Sequence, residues 1–284
     1  MDFFDLHCDT PYECYVKNQE FSKNTLAVSA CKGAVFNKWH QTFAVWIKDD
    51  TENPYQLYKN ILKDFKDKLK NKTENLTPVF AVEGGAVIES NIDRLYELKT
   101  DGIRFLTLTW NGENLIAGGS KTDKGLTDFG KDVIGVMNSL KIGCDLSHLN
   151  DKSFYGAIEK AEFPLATHSN CRLVCNHPRN LNIEQIKLIA EKGGVVGLCF
   201  YPCFLGCGDV FEQLYKNIFL LCDKGYENNI AIGSDFDGAE MDKKLDRIDK
   251  LPDFYEFLRR KRLKEELLSK IFYKNAENFI AKLD

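Results

Sequence analysis

Short apolar runs alternate with amphipathic stretches along the whole chain. The runs are FFDL (3–6), TFAVWI (42–47), VFAV (79–82), IRFLTLT (103–109), IGCDL (142–146), PLAT (164–167), VVGLCF (195–200) and IAIGS (230–234). Most are apolar almost without interruption, the pattern of strands covered on both faces. Between them, apolar positions recur at helical spacing over about 55–70, 90–99, 127–140, 152–161, 183–192 and 209–224, then 253–260 and 263–281. Within 55–70, Tyr58, Ile61, Leu62, Phe65 and Leu69 share one face, which makes the charge-rich KDFKDKLKNK (63–72) the solvated side of a helix. Asn182 reads as an N-cap, with Gly193-Gly194 closing its helix, and Asp209 opens another that stops near Gly225. Residues 10–41 carry no clean helical pattern. Eight strand-and-helix repeats in 284 residues predict a (β/α)8 TIM-type barrel, a single domain spanning 1–284, with a doubly wound open sheet as the alternative. No GxGxxG or GxxxxGK[ST] follows any strand, so dinucleotide and P-loop chemistry have no support.

A barrel of this kind gathers its chemistry at the C-terminal ends of its strands. The first run ends in His7 and Asp9, the third in Glu83, the fifth in His148, the sixth in His168, and the eighth in Asp235 and Asp237. Strand alternation puts His7 and Asp9 on one side and Cys8 on the other, so a nitrogen and an oxygen could chelate one ion. Three of the five histidines fall at this rim. Three imidazoles and two carboxylates exceed what one tetrahedral zinc holding a water needs. They suit two ions about 3.5–4 Å apart, with Glu83 as the bridge, His7 and Asp9 on one ion, and His148 and His168 on the other. Such a pair lowers the pKa of a shared water from about 15.7 towards about 7, making hydroxide available for amide or ester hydrolysis. Asp235 is placed to shuttle the proton to the leaving group. Asp237, beside Gly238, reads as a turn or capping carboxylate. His40 reads as a surface or packing residue, and His177 as a support behind the site, being near Arg179.

Composition narrows the partners. At 44% hydrophobic and 28% charged residues the chain is ordinary for a soluble protein. A net charge of −4, a pI near 5.8 and no basic stripe argue against nucleic acid. No apolar stretch reaches membrane-spanning length, so no membrane partner is expected. A strand beginning at residue 3 leaves no room for a signal peptide, and the ten cysteines suit a reducing, cytoplasmic location. The spacing of Cys171, Cys175, Cys199, Cys203 and Cys207 lacks the CxxC pairs of structural zinc sites and reads as small buried or half-buried thiols.

The motifs DLHCDT, AVEGG, LTLTWN, DLSH, THSNCRLVCNHPRN and SDFDG, in this order from residue 3 to about 282, resemble the renal (membrane) dipeptidase family of zinc metallopeptidases, within the amidohydrolase superfamily. HxD is common to the superfamily. The glutamate in place of a carbamylated lysine, together with THS…NHPRN and DFDG, is more specific. The resemblance implies two Zn2+ ions, or other divalent ions, and hydrolysis of small dipeptides, often with tolerance of a C-terminal D-residue. It implies His7 and Asp9 on one ion, Glu83 bridging, and His148 and His168 on the other. It further implies Arg179 as the holder of the substrate carboxylate, a task its guanidinium fork suits. Asp235 would handle the proton and the substrate ammonium, Tyr201 would line the pocket, and a homodimer is a common assembly.

One position departs from the family pattern. The histidine that follows LTLT, which polarises the scissile carbonyl, is here Trp110, with a single N–H donor and no charge. Loss of an oxyanion donor costs about 10²–10³-fold in turnover. Either Asn111 or a neighbour substitutes, or the substrate differs, or turnover of ordinary dipeptides is slow. Two further readings stand beside the dipeptidase: an amidohydrolase of another small amide or lactone, and a metal-holding homologue without catalysis.

Overall fold

The computed structural model describes residues 1–284. Each apolar run forms a strand: β1 (Phe3–Cys8), β2 (Trp39–Trp46), β3 (Leu76–Glu83), β4 (Ile103–Thr107), β5 (Gly143–Asp145), β6 (Pro164–Leu165), β7 (Val196–Leu198) and β8 (Ile230–Ile232). All neighbours pair in parallel, in the order β6-β5-β4-β3-β2-β1-β8-β7. The ends of that row meet through a parallel bridge between Ala166 and Val196, with Gly197 N donating to Ala166 O at 2.8 Å. That closure excludes the open-sheet alternative and makes the fold a (β/α)8 TIM-type barrel.

Helices cover the outside at Pro54–Lys68, Arg94–Thr100, Asp128–Ser139, Asp151–Lys160, Ile183–Glu191, Val210–Asp223 and Leu251–Arg260. The caps behave as their chemistry dictates. Asn182 and Gln185 form a reciprocal capping box, and the Asp209 carboxylate accepts from the Phe211 and Glu212 amides. Three stretches differ from the periodicity. Thr10–Val16 is helical although no pattern marked it, because it has seven residues, Pro11 in its first turn and only three buried positions. The helix expected over 90–99 begins at Arg94, since Gly85–Ile88 forms a separate 3-10 turn. The one expected over 263–281 is interrupted by a π-helical turn at Lys270–Lys274.

Two apolar layers result. A large one lies between strands and helices. A smaller one fills the lower barrel with Phe4, Leu6, Ala44, Ala81, Phe105 and Ala231, sealed from below by Tyr273 and Phe279. His40 belongs to this lower end, its ring 5.0 Å from Phe4 and 5.2 Å from Tyr273 in edge contacts, so it is a packing residue. The apolar filling stops below the C-terminal rim, and buried polar side chains continue the interior upward. All ten cysteines are free. No helix is long and apolar enough to cross a membrane.

Candidate metal centre

His7, Asp9, Glu83, His148 and His168 converge at the C-terminal mouth of the barrel, all buried. Strand alternation explains only part of this. Phe4 and Leu6 belong to the interior layer, so a regular β1 would turn His7 outward with Phe3 and Asp5. The pairing of β1 with β2 shifts register between Asp5 and Cys8, and His7 thereby faces inward. Asp9 lies beyond the strand, as the residue that opens Thr10–Val16. The shared face expected of His7 and Asp9 exists, but a β irregularity and a turn create it.

Glu83 ends β3 with its carboxylate divided between two groups. Its Oε2 lies 3.1 Å from His7 Nε2, and its Oε1 lies 2.7 Å from His148 Nε2 and 3.8 Å from His168 Nε2. Asp9 Oδ2 is 3.5 Å from His7 Nε2. Two triads, His7–Asp9–Glu83 and Glu83–His148–His168, each bring their donor atoms within 4.8 Å, and Glu83 belongs to both. His7, His168 and Asp235 form a third such group.

The donor set fits cations and little else. Asn111 Oδ1 accepts from Ser120 Oγ and stands 3.0 Å from His148 Nδ1, so that nitrogen carries the proton. Its Nε2 therefore presents a lone pair, and the Nε2 of His168 faces it at 2.8 Å. Asp9 Oδ1 is buried without any hydrogen-bond partner. Acceptors crowded in this way, away from water, call for positive charge. The electrostatics agree. Burial pushes Asp9 up, and the Glu83 charge adds to that, holding it well above the usual carboxylate range. Burial also favours a neutral Glu83, but positive charge on His7, whose imidazole Glu83 and Asp9 raise well above its ordinary value against burial, outweighs it and holds that carboxyl well below its ordinary value. Burial and Arg179 hold His148 down at about 4.

Above this cluster lies a cavity of about 600 Å3, lined among others by Trp110, Arg179, Tyr201 and Asp235. Arg179 is 5% exposed, with its guanidinium 5.2 Å from the Phe204 ring centroid. Its Nε has no partner, and its one side-chain hydrogen bond is a long 3.5 Å approach to His168 O. No carboxylate of the chain forms an ion pair with it within 4.0 Å. Its backbone amide donates to His177 Nδ1 at 3.1 Å, so His177 supports the Arg179 loop. Tyr201 caps the short Pro202–Leu205 helix and stands edge-on to Phe204 at 5.0 Å. The Trp110 indole packs edge-on against Trp46 at 5.2 Å and lies 6.4 Å from His148, while the Trp110 and Gly112 amides donate to the Asp49 carboxylate.

Asp235 follows β8, its amide donating to His7 O and its Oδ2 accepting from the buried Cys199 thiol at 3.6 Å. Burial raises its carboxyl to about 6. Asp237 points elsewhere and ties Thr10 Oγ1 and Ala27 N, both at 2.6 Å, which makes it a turn-holding carboxylate as its place beside Gly238 suggested. His148, Asp235 and Asp237 all adopt left-handed backbone, with φ of 71°, 64° and 68°. Such conformations cost side-chain-bearing residues free energy and collect at working sites.

Beneath the imidazoles is a polar layer that local sequence patterns did not reveal. Outside it, on the outward face of β1, Asp5 accepts from Ser234 N and Oγ, Gln41 Nε2 and His7 N. Asp145 and Thr167 lie under His7 and His168, and Asn111 behind His148. Asp145 is visible within DLSH, but only the closed barrel shows which donors it meets.

The model of the membrane dipeptidase family, peptidase family M19, matches residues 1–282. The uncharacterized protein in the pqqA 5′ region of Klebsiella pneumoniae is 32% identical over 215 residues, covering 70% of this chain and 79% of that one. Among solved structures, a metallopeptidase described as dipeptidase AC of family M19 superposes with a TM-score of 0.89 at 23% identity, over 99% of this chain and 98% of its own. A Rhodobacter sphaeroides metallopeptidase, solved with a phosphinate mimic of L-Ala-D-Ala, gives 0.87 at 21% identity over 100% and 99%. At these identities the two structures speak for the fold.

Proposed function

The chain belongs to the membrane dipeptidase family, and from that premise we propose that it is a dipeptidase acting through two divalent cations, zinc by the chemistry of its imidazole and carboxylate donors. The observation that carries the reading is the divided Glu83 carboxylate, one oxygen on His7 and the other on His148 and His168. His7 and Asp9 would hold one ion, His148 and His168 the other, and Glu83 both. Bound there, the pair supplies hydroxide near neutral pH by acidifying a water from about 15.7 to about 7.

The remaining roles belong to the chain's own side chains. Arg179, buried and lacking a carboxylate partner, binds the substrate's free carboxylate through its fork and so selects for a short peptide. Asp235, raised to about 6 by burial, takes and returns the proton that must reach the leaving amine. Tyr201 and Trp110 bound the substrate from two sides. Acceptance of a D-residue at the C-terminal position belongs to the same reading, because Arg179 grips the carboxylate and not the side chain.

Trp110 favours one second reading, hydrolysis of a different small amide or lactone, since its indole occupies the place from which a histidine would polarise the carbonyl. The deciding experiment is elemental analysis of purified protein together with a panel of L,L-, L,D- and Gly-containing dipeptides. Two equivalents of a divalent ion and turnover on the panel are expected. Two ions with turnover only on other amides or lactones would move the assignment to the second reading. Two ions and no turnover at all would mark a metal-holding protein, and a metal-free, active protein would overturn the proposal.

A further inference from the structure

Beneath the candidate metal centre one hydroxyl makes an unusual number of contacts. Thr167 Oγ1 lies 2.7 Å from Asp145 Oδ2, 2.8 Å from His168 Nδ1 and 3.2 Å from His7 Nδ1, with Ser147 Oγ more distant at 3.4 Å. A hydroxyl has one proton to give and two lone pairs to offer. Asp145 decides where the proton goes. Its Oδ1 accepts from the Ser147 and Thr167 amides at 3.0 and 2.9 Å, and its Oδ2 accepts from Thr107 Oγ1 at 2.6 Å. Every other partner of this carboxylate is a donor, so Thr167 gives its proton to Oδ2 as the fourth. Its lone pairs then accept N–H from both imidazoles, and both rings must carry their protons on Nδ1.

We infer that Thr167 is a positioning residue that fixes one tautomer on His7 and His168 together, turning the lone pair of each Nε2 towards Glu83. The inference rests on the metal reading above for its purpose, but its geometry stands without it. His7 and His168 fall on different ions in that reading, so a single hydroxyl serves both halves of the centre. Packing keeps the hydroxyl in place. A Cβ on Gly197 or Gly233 would come within 2.0 or 1.6 Å of the Thr167 carbonyl oxygen, so β7 and the residue that follows β8 both approach this position at glycine distance. Threonine is 1% exposed here, and water does not compete for its lone pairs.

The test compares the full-length chain with Thr167→Val and Thr167→Ser. Imidazole 15N shifts of the protein stripped of metal report the tautomers, and competition with a chromophoric chelator reports zinc affinity. In the unaltered chain both rings should show protonated Nδ1. The valine variant should lose that uniformity and bind zinc about 10–100-fold more weakly, the cost typical of removing a partner behind a ligand, while serine restores both properties. An unprotonated Nδ1 on either ring of the unaltered chain would overturn the inference, and needs no variant to fold. So would a valine variant that matches the original in tautomers and affinity. If the unaltered chain binds no zinc, the metal reading falls, and the 15N shifts still decide the role of Thr167.

Discussion

Asp5 and Asp9 stand four residues apart, both buried, in opposite circumstances. Asp5 accepts four hydrogen bonds, from Ser234 N at 2.8 Å, Ser234 Oγ at 2.6 Å, Gln41 Nε2 at 2.9 Å and His7 N at 3.2 Å. Asp9 keeps one oxygen with no partner and the other against an imidazole nitrogen. The same division runs through the whole mouth of the barrel. The supporting polar groups, Asp5 outside β1 and Asp145 beneath the imidazoles, balance acceptors against donors. The rim cluster, Asp9, Glu83, His148 and His168, crowds acceptors together. Burial alone therefore does not separate scaffold from site, whereas donor and acceptor accounting does.

The sharpest way to break the contrast is Glu83→Gln. An amide cannot share one negative charge between two positions, and it presents N–H groups to one side. Metal affinity should fall at least about a hundredfold, beyond what outer partners cost, and turnover should drop to background; elemental analysis after dialysis and the dipeptide assay read the two. Full turnover with two ions retained would refute the bridging role. Asp5→Asn probes the balanced groups instead. One oxygen becomes a donor facing donors, so denaturant unfolding should show a loss of about 1–3 kcal/mol, with metal content unchanged. A loss of metal instead would mean the two sets are not separable. The smallest effect belongs to Trp110→His, which replaces an indole N–H by an imidazole that can carry positive charge. It should raise kcat on L-Xaa-Gly or L-Xaa-D-Ala by about tenfold, part of the 10²–10³ an oxyanion donor is worth. No change, or a fall, would detach Trp110 from the chemistry.

Sequence patterns located the strands and the rim residues because both rest on local signals: apolar runs, and polar groups immediately after them. His7, Glu83, His148, His168 and Asp235 were legible for that reason. The register shift that turns His7 inward was not, since it arises from pairing with β2. Thr10–Val16 was too short to display a period. Thr167 and Asp145 escaped for a different reason, and Asn111, named as a stand-in for the missing histidine, was not foreseen behind His148. Each is an unremarkable polar residue until the barrel closes, which brings Thr167 to Asp145, 22 residues away, and to His7, 160 residues away. Arg179 could be named from HPRN by resemblance, but its lack of a carboxylate partner is a fact of three-dimensional packing.

The left-handed turns at His148 and Asp235 carry an evolutionary corollary. Glycine would relax either backbone position, by about 1–3 kcal/mol for such strain, while deleting an imidazole or a carboxyl from the mouth. A laboratory lineage chosen for heat resistance alone would thus drift towards glycine at 148 and 235, gaining robustness as it shed its chemistry. Persistence of these two side chains through such a lineage would require that survival also depend on what the barrel does.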